Sequence, residues 1–552
     1  MSLLPYPVSA LTLIVGSYVV HVIWSRRRVQ RAIANVPAPK SASFWTGNLP
    51  LLYDPHRGWP FIDSIQDAGS IFRLTTPIGF NDMIYVADPL ALYYIYRKDE
   101  ASFEEPDDVL IIERVVFGND SIFCTEGARH RKQRKFLNPI FSTAHMKKMV
   151  PIFCDVSHKL RNTLQLMTAK GPVEVDMVNW LTRTALELIG QAGIGYTFDS
   201  LAMEETPNVY GAVLKEGVSA ISSPTLRMGM KYVLPFVAGM GTPGFWKVII
   251  DHISLDVLQS ARHFVLEMDR SSKEIYETKK KALTEGDETL SKQIVGGNDL
   301  ISLLMRANMS AKEEEQLTDE EVVAQISSFV FAATDTTSSA LSRALCLLAE
   351  HPTIQDRLRE EILNAKRNCE AGEEGDLNYD EMEALEFLDA ICRETMRLYP
   401  PAPFIDRTTL KDTIIPLAFP ITDVRGSELK EVFIPKDTVI TIAIASMNRS
   451  VKVWGPDVME WKPQRWLDGL PESVVSAQIP GIYSHLMTFS GGKRSCLGFK
   501  FSQLEMKAVL CDLISTFRFS PSPKHSKVTF PMSTIVCPSI DGKPSLPLIL
   551  EA

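Results

Sequence analysis

No Cys-x-x-Cys pair occurs among the eight cysteines, Cys124, Cys154, Cys346, Cys369, Cys392, Cys496, Cys511 and Cys537. A zinc site is therefore not expected. Most of these cysteines sit in apolar helical surroundings, which suits reduced thiols in a cytosol-facing domain. Basic residues are not in excess: 58 Lys and Arg against 67 Asp and Glu leave a net charge of −9. That balance argues against a general nucleic-acid binder. No internal repeat or low-complexity tract is present, so a repeat array is excluded. Length alone would suggest three or four domains at about 150 residues each, but nothing in the middle of the chain resembles a flexible linker. With 45% hydrophobic and 23% charged residues, the 552-residue chain can bury a large core.

Long apolar runs are scarce too. Val8 to Trp24 is nearly unbroken, interrupted by Ser9, Thr12, Ser17 and His21. At about 17 residues it is at the short end for a membrane span. Arg26-Arg-Arg28 and Arg31 follow at once. A cleaved signal peptide would carry its charge before the run and a small-residue cleavage site after it; here the order is reversed. The run reads as a signal anchor, with the arginines and everything after them in the cytosol. A buried core helix is the weaker alternative, because the arginines abut the run. Residues 1–34 are thus expected to be a membrane anchor with its basic flank, and 35–552 the catalytic unit. Asn35-Val-Pro-Ala-Pro-Lys40 makes a stiff break between them. The glycosylation-type sequons at Asn119, Asn308 and Asn448 should stay unused, since they never meet the lumen.

What is present centres on Phe489-Ser-Gly-Gly-Lys-Arg-Ser-Cys-Leu-Gly498. Cys496 sits among glycines that let a backbone approach something flat and bulky. Lys493 and Arg494 add positive charge, which favours thiolate over thiol. Phe499 to Ile514 has apolar residues at helical spacing, so Cys496 lies just before a helix N-terminus, where an anion is stabilised. A buried thiolate held in this way can be an axial ligand to haem iron. The plain alternative is a small buried cysteine in a Gly-rich loop.

Phe489, Gly492, Arg494, Cys496 and Gly498 fit Phe-x-x-Gly-x-Arg-x-Cys-x-Gly. The pattern closely resembles the haem-binding loop of the cytochrome P-450 superfamily. The resemblance implies a haem b cofactor with Cys496 on the iron, Arg494 at a haem propionate and Phe489 near the sulfur. It also implies a mainly α fold with small β-sheets (α+β), carried on an N-terminal transmembrane helix.

Other segments fit in family order. Ser70 to Thr76 and Met83 to Ala87 have strand character, and Asp88-Pro89 opens a helix. His130 and Arg134 share a helix face within Gly127 to Phe141. The family usually has Trp at the first of these positions and Arg at the second, both reaching haem propionates, a role the resemblance gives to Arg134; His130 can still donate a hydrogen bond, but its protonation becomes a variable. Arg131, Lys132 and Lys135 read as a solvated face, which in the family docks an acidic electron donor. Val322 to Ala349 is an apolar helix containing Phe331-Ala-Ala-Thr-Asp-Thr-Thr337. Its Asp335 and Thr336 resemble the acid–alcohol pair that delivers protons, with Ala333 where Gly is typical. Glu394 and Arg397 at i, i+3 read alone as a surface ion pair of about 0.3–0.5 kcal/mol. By resemblance they form a scaffold-locking network with Arg465, and Arg407 meets a propionate. Residues 150–300 read as mostly amphipathic helices. In that region Tyr232 to Trp246 either dips into the membrane surface or packs in the core, and Lys279 to Gly297 reads as exposed.

The function implied is insertion of one oxygen atom from O2 into a C–H bond or double bond, the other atom leaving as water. No flavin- or nicotinamide-binding signature appears, so the electrons come from a partner. By resemblance that partner is an NADPH-cytochrome P-450 reductase in the endoplasmic reticulum membrane, with cytochrome b5 as a second candidate donor. The expected pocket positions are Ile111 to Phe117, Phe329, Ala333, Pro403 to Ile405, Ser533 and Thr534, mostly apolar, which fits a lipophilic small molecule. Two other functions stay open. One is a haem-thiolate isomerase or dehydratase, disfavoured by the intact Asp335-Thr336 pair. The other is a membrane haem protein that senses a ligand without turnover.

Overall fold

The computed structural model describes residues 27–66, 69–77, 81–203, 213, 217, 220–221, 223–237, 243–285, 299–369 and 375–552. The apolar run Val8–Trp24 lies outside them. Among the described residues no helix is long and apolar enough to cross a membrane.

Helices dominate, as expected, with small sheets at the margins. The largest sheet has five strands: β1 (Ile71–Leu74), β2 (Met83–Val86), β3 (Phe103–Glu104), β4 (Ile405–Thr409) and β5 (Val439–Ile442), in the order β1-β2-β5-β4-β3. Only the β2–β5 contact is parallel. The sheet brings residues about 100 and about 400 together, so Glu104 faces Thr408 across β3 and β4.

The helices that build the site are α1 (Asp107–Phe117), α2 (Gly127–Ile140), α3 (Asp319–Glu350), α4 (Glu386–Leu398) and α5 (Phe499–Thr516). α3 starts at a capping box: Thr318 accepts from the Glu321 N–H, and the Glu321 carboxylate accepts from the Thr318 N–H. It then runs 32 residues with most positions buried, polar ones such as Gln325, Ser328 and Ser342 among them. α5 is likewise enclosed, with Leu504, Met506, Val509, Leu510, Leu513 and Ile514 buried.

One large apolar core takes in residues from Val29 to Leu550. Val29, Ile33 and Val36 belong to it, with accessibilities of 1%, 0% and 0%. The chain just after the arginine cluster is therefore packed, and Arg28 pairs with Asp412 at 2.8 Å. Lys279 reverses its expectation. It lies on the helix Asp256–Glu285, is buried, and donates to Asp299 at 2.9 Å and Ser302 at 3.0 Å. A charge run in sequence does not reveal that one of its members has a buried carboxylate waiting.

Candidate active site

Strand Leu486–Gly491 runs into a 3-10 turn, Gly492–Arg494, and Gly498 caps α5. The Cys496 N–H donates to the Phe489 carbonyl at 3.0 Å and closes the loop. Gly492 is required by its backbone: φ is +63°, and a Cβ there would stand 2.2 Å from Glu100 Oε1. Gly498 differs. A Cβ there would meet only the Phe141 ring, at 3.8 Å. No protein neighbour demands a glycine, whereas a flat group lying on the loop would.

The loop faces a cavity of about 560 Å³. Of the eight cysteines, Cys496 alone lines it. The sulfur lies open to the cavity yet deep within the protein. Burial pushes its thiol up to about 11; the Gly498 N–H and the Arg134 charge pull the other way. The expectation that Lys493 and Arg494 favour the thiolate gives way to a different arrangement. Lys493 is drawn to Glu104, and Arg494 donates to the carbonyls of Ile122 at 3.1 Å and Thr125 at 2.7 Å. The charge that helps is Arg134, whose Nη1 donates to the Ser495 carbonyl at 2.8 Å. A bare Cys496 is a thiol at neutral pH, and a metal bound there would displace its proton.

Four nitrogen-bearing side chains line the same cavity: His130, Arg134, Arg407 and Arg494. They come from α2, β4 and the loop, and suit a ligand with carboxylates. His130 is buried and held neutral. Burial first, then Arg494 and Arg134, push it down to about 3. Its protonation, open in the sequence, is settled by its surroundings: it offers a neutral imidazole.

Three acids line the cavity wall, Glu105, Glu113 and Asp406, and of these only Glu113 falls within the stretches expected from sequence. Glu105 lies 3.5 Å from Arg407 and 3.8 Å from Arg494. Glu113 on α1 has a buried Oε2 without a hydrogen-bond partner, and burial and the Glu105 charge raise its carboxyl well above the ordinary value. Of the expected stretch Ile111 to Phe117, only Glu113 lines the cavity, one turn after Val109. Phe329, Ala333, Phe404, Ile405 and Thr534 line it as expected; Pro403 and Ser533 do not.

α3 forms another part of the wall of this cavity. Ala332, Ala333, Thr336 and Thr337 line the cavity. Thr336 donates to the Ala332 carbonyl at 2.6 Å and Thr334 to Val330 at 2.7 Å, the turn-back bonds expected of hydroxyls in a helix. Asp335 is half-buried and does not line the cavity.

The Glu394–Arg397 pair is no surface pair: both side chains are fully buried. Arg397 grips Glu394 with two hydrogen bonds of 2.8 Å and reaches the Asn448 carbonyl at 3.1 Å. Arg465 joins at 3.4 Å from Glu394. Asp457 and Trp466, which sequence reasoning left out of the network, complete it: Asp457 accepts from Arg465 at 2.9 Å, and the Trp466 indole donates to Glu394 at 3.0 Å.

The family profile of cytochrome P-450 matches residues 37–545. The chain belongs to the cytochrome P-450 family. This P-450 is 44% identical over 524 residues to a cytochrome P-450 monooxygenase, eriI, of Hericium erinaceus, covering 95% of this chain and 94% of the relative. It is 41% identical over 539 residues to cytochrome P-450 monooxygenase 91 of Postia placenta, covering 96% and 97%. A ganoderic acid synthetase of Ganoderma lucidum is 37% identical over 559 residues, covering 99% and 98%. The P-450 is therefore an oxidoreductase of the monooxygenase class, and its cofactor is haem with an axial cysteine thiolate. The donor set around the cavity fits that group: one accessible sulfur, a glycine without a crowding neighbour, and three guanidiniums with an imidazole for two propionates.

Proposed function

We propose that this P-450 oxidises a lipophilic small molecule of fungal secondary metabolism, by hydroxylation or epoxidation. One relative is named for the synthesis of ganoderic acid, which makes a lipophilic acid or its precursor the first substrate class to try. The observation that carries the reading is the opening of Cys496 onto a largely apolar cavity ringed by His130, Arg134, Arg407 and Arg494. Cys496 would hold the iron, and those four side chains, together with Gly498 and Phe489 of the loop, would seat the porphyrin. Haem bound there supplies the activation of dioxygen and the insertion of one of its atoms. The chain's own part is to orient, to exclude water and to pass protons. Phe329, Ala333, Phe404 and Ile405 exclude water from the substrate side. The Thr336 hydroxyl, open to the cavity, can release its bond to Ala332 and hand a proton inward, resupplied from Asp335 one residue away.

Electrons come from an NADPH-dependent reductase in the endoplasmic reticulum membrane, with the catalytic unit on the cytosolic side. Exposed Phe44, Trp45, Phe245 and Val248 support contact with a lipid surface. Cys496→Ser tests the assignment. It should abolish the red-shifted Soret band of the ferrous carbonyl complex and all oxygenation, while serine variants of the other seven cysteines keep both. A Cys496→Ser protein with band and turnover intact would sink the reading.

A further inference from the structure

One face of α3 continues past the cavity and carries Ser339, Arg343, Cys346 and Glu350 at steps of four, three and four residues, a single stripe on a helix. The C-terminal segment lies along this stripe. Ser339 donates to the Val536 carbonyl, Arg343 stacks 3.1 Å from the Phe530 ring, and His525 meets Glu350. The stripe ends in a cluster from two chain segments. Cys346 Sγ lies 3.7 Å from Glu350 Oε1, and His525 Nε2 lies 2.8 Å from the same oxygen. The three donor atoms all fall within 4.8 Å of one another. None of these residues lines the haem cavity.

We propose that Cys346, Glu350 and His525 form a second metal site, for a borderline divalent cation of the zinc class, with solvent as the fourth ligand. Sulfur, imidazole nitrogen and carboxylate oxygen are the ligand types zinc takes. Bonds of about 2.0–2.3 Å in a tetrahedron place ligands roughly 3.3–3.8 Å apart. The sulfur–carboxylate distance already matches. The imidazole must retreat by about half an ångström from Glu350, and it sits on a short surface turn, His525–Lys527, that can yield. Thiolate and carboxylate together neutralise a dication. Arg343, the positive charge that acts on Cys346, is stacked on the rings of Tyr399 and Phe530. Glu350 is exposed and His525 half-buried, so an ion has a way in, while Cys346 closes the buried side. Burial pushes the Cys346 thiol up to about 12. Binding therefore exchanges one thiol proton for the metal, M²⁺ + RSH → RS–M⁺ + H⁺, and tightens as pH rises.

The site would pin the far end of the segment whose nearer part places Thr534 in the cavity wall. Ten residues of helix, about 15 Å, separate Cys346 from Thr336. Sequence spacing alone concealed the cluster: Cys346 and Glu350 are one helical turn apart, but His525 is far along the chain and no cysteine pair marks the place.

The test uses holoenzyme stripped of adventitious metal, with Zn²⁺ as the probe, equilibrium dialysis against a competing chelator, and zinc counted by elemental analysis. One equivalent should bind, and the haem should be retained. Cys346→Ser and His525→Ala should each weaken binding at least tenfold, while Cys369→Ser, a part-buried thiol elsewhere, should leave it unchanged. Haem content of each variant checks that it has folded; His525 is near the surface, so that variant stands even if the cysteine variant does not fold. Absence of a bound equivalent, or zinc binding unchanged in His525→Ala, would overturn the site.

Discussion

At the scale of single residues, burial decides more than sequence neighbours do. Lys493 and Arg494 flank Cys496 in the chain yet turn to Glu104 and to backbone carbonyls. Arg134, more than 350 positions away, is the charge that acts on the sulfur. Glu505 on α5 shows the same rule. It is fully buried beside Thr337, and burial raises its carboxyl well above the ordinary 4.5. A raised folded value means that the folded state favours the protonated acid. Its stabilising contribution is complete below about pH 4.5, the unfolded value, and is lost as pH climbs through the folded value. Glu505→Gln removes that loss. Denaturant midpoints taken from pH 5 to pH 9 should show the variant gaining on the parent as pH rises, then levelling. A difference that is the same at every pH would mean that Glu505 is not the buried neutral acid described here. The Phe-x-x-Gly-x-Arg-x-Cys-x-Gly pattern was legible because the loop is local: its turn and its cap lie within ten residues. Glu105 was not legible, because its meaning lies in Arg407 and Arg494, which only the fold brings near.

At the scale of elements, α4 shows how a weak local signal becomes a strong structural one. In sequence, Glu394 and Arg397 look like any i, i+3 pair on a helix surface. In the fold, α4 is sunk so that the pair is fully enclosed and tied to Asn448, Lys462, Arg465 and Trp466. The helical spacing of the pair was readable; the helix's depth was not, since that depends on the segments from Asn448 to Trp466 closing over it. Removing one partner of a buried ion pair leaves an uncompensated charge, at roughly 3–5 kcal/mol. Glu394→Ala should therefore cost several kcal/mol in chemical denaturation, or give no folded haem protein. Trp466→Phe keeps an aromatic ring and removes only one neutral donor, so it should cost about 0.5–1.5 kcal/mol. Equal losses in the two variants would mean that packing, not charge, holds the network.

At the scale of the whole molecule, burial bears on where the expected boundary between anchor and catalytic unit would fall. The proline-containing segment at 35–40 is the visible break in the sequence, and the unit was expected to begin there. Val29, Ile33 and Val36 nevertheless belong to the main core, and the Arg73 N–H donates to the Pro37 carbonyl at 2.9 Å. Compartment cannot be read from all three sequons either. Asn448 is buried with its amide bound to Thr488, and Asn308 is tied at both amide atoms to Leu317, so the fold itself shields them. Asn119, exposed at a turn, is the informative one. Two truncations separate anchoring from folding. Removal of residues 1–26 takes away the apolar run and leaves the packed residues in place. That protein should leave the membrane fraction and keep its haem and its denaturation midpoint. Removal of residues 1–36 also strips Val29, Ile33 and Val36, each worth about 1.5–3 kcal/mol when fully buried. It should lose several kcal/mol and much of its haem. If the longer deletion were as stable as the shorter, the 27–36 segment would be a tether rather than part of the core; if the shorter stayed in the membrane, the anchor would lie elsewhere in the chain.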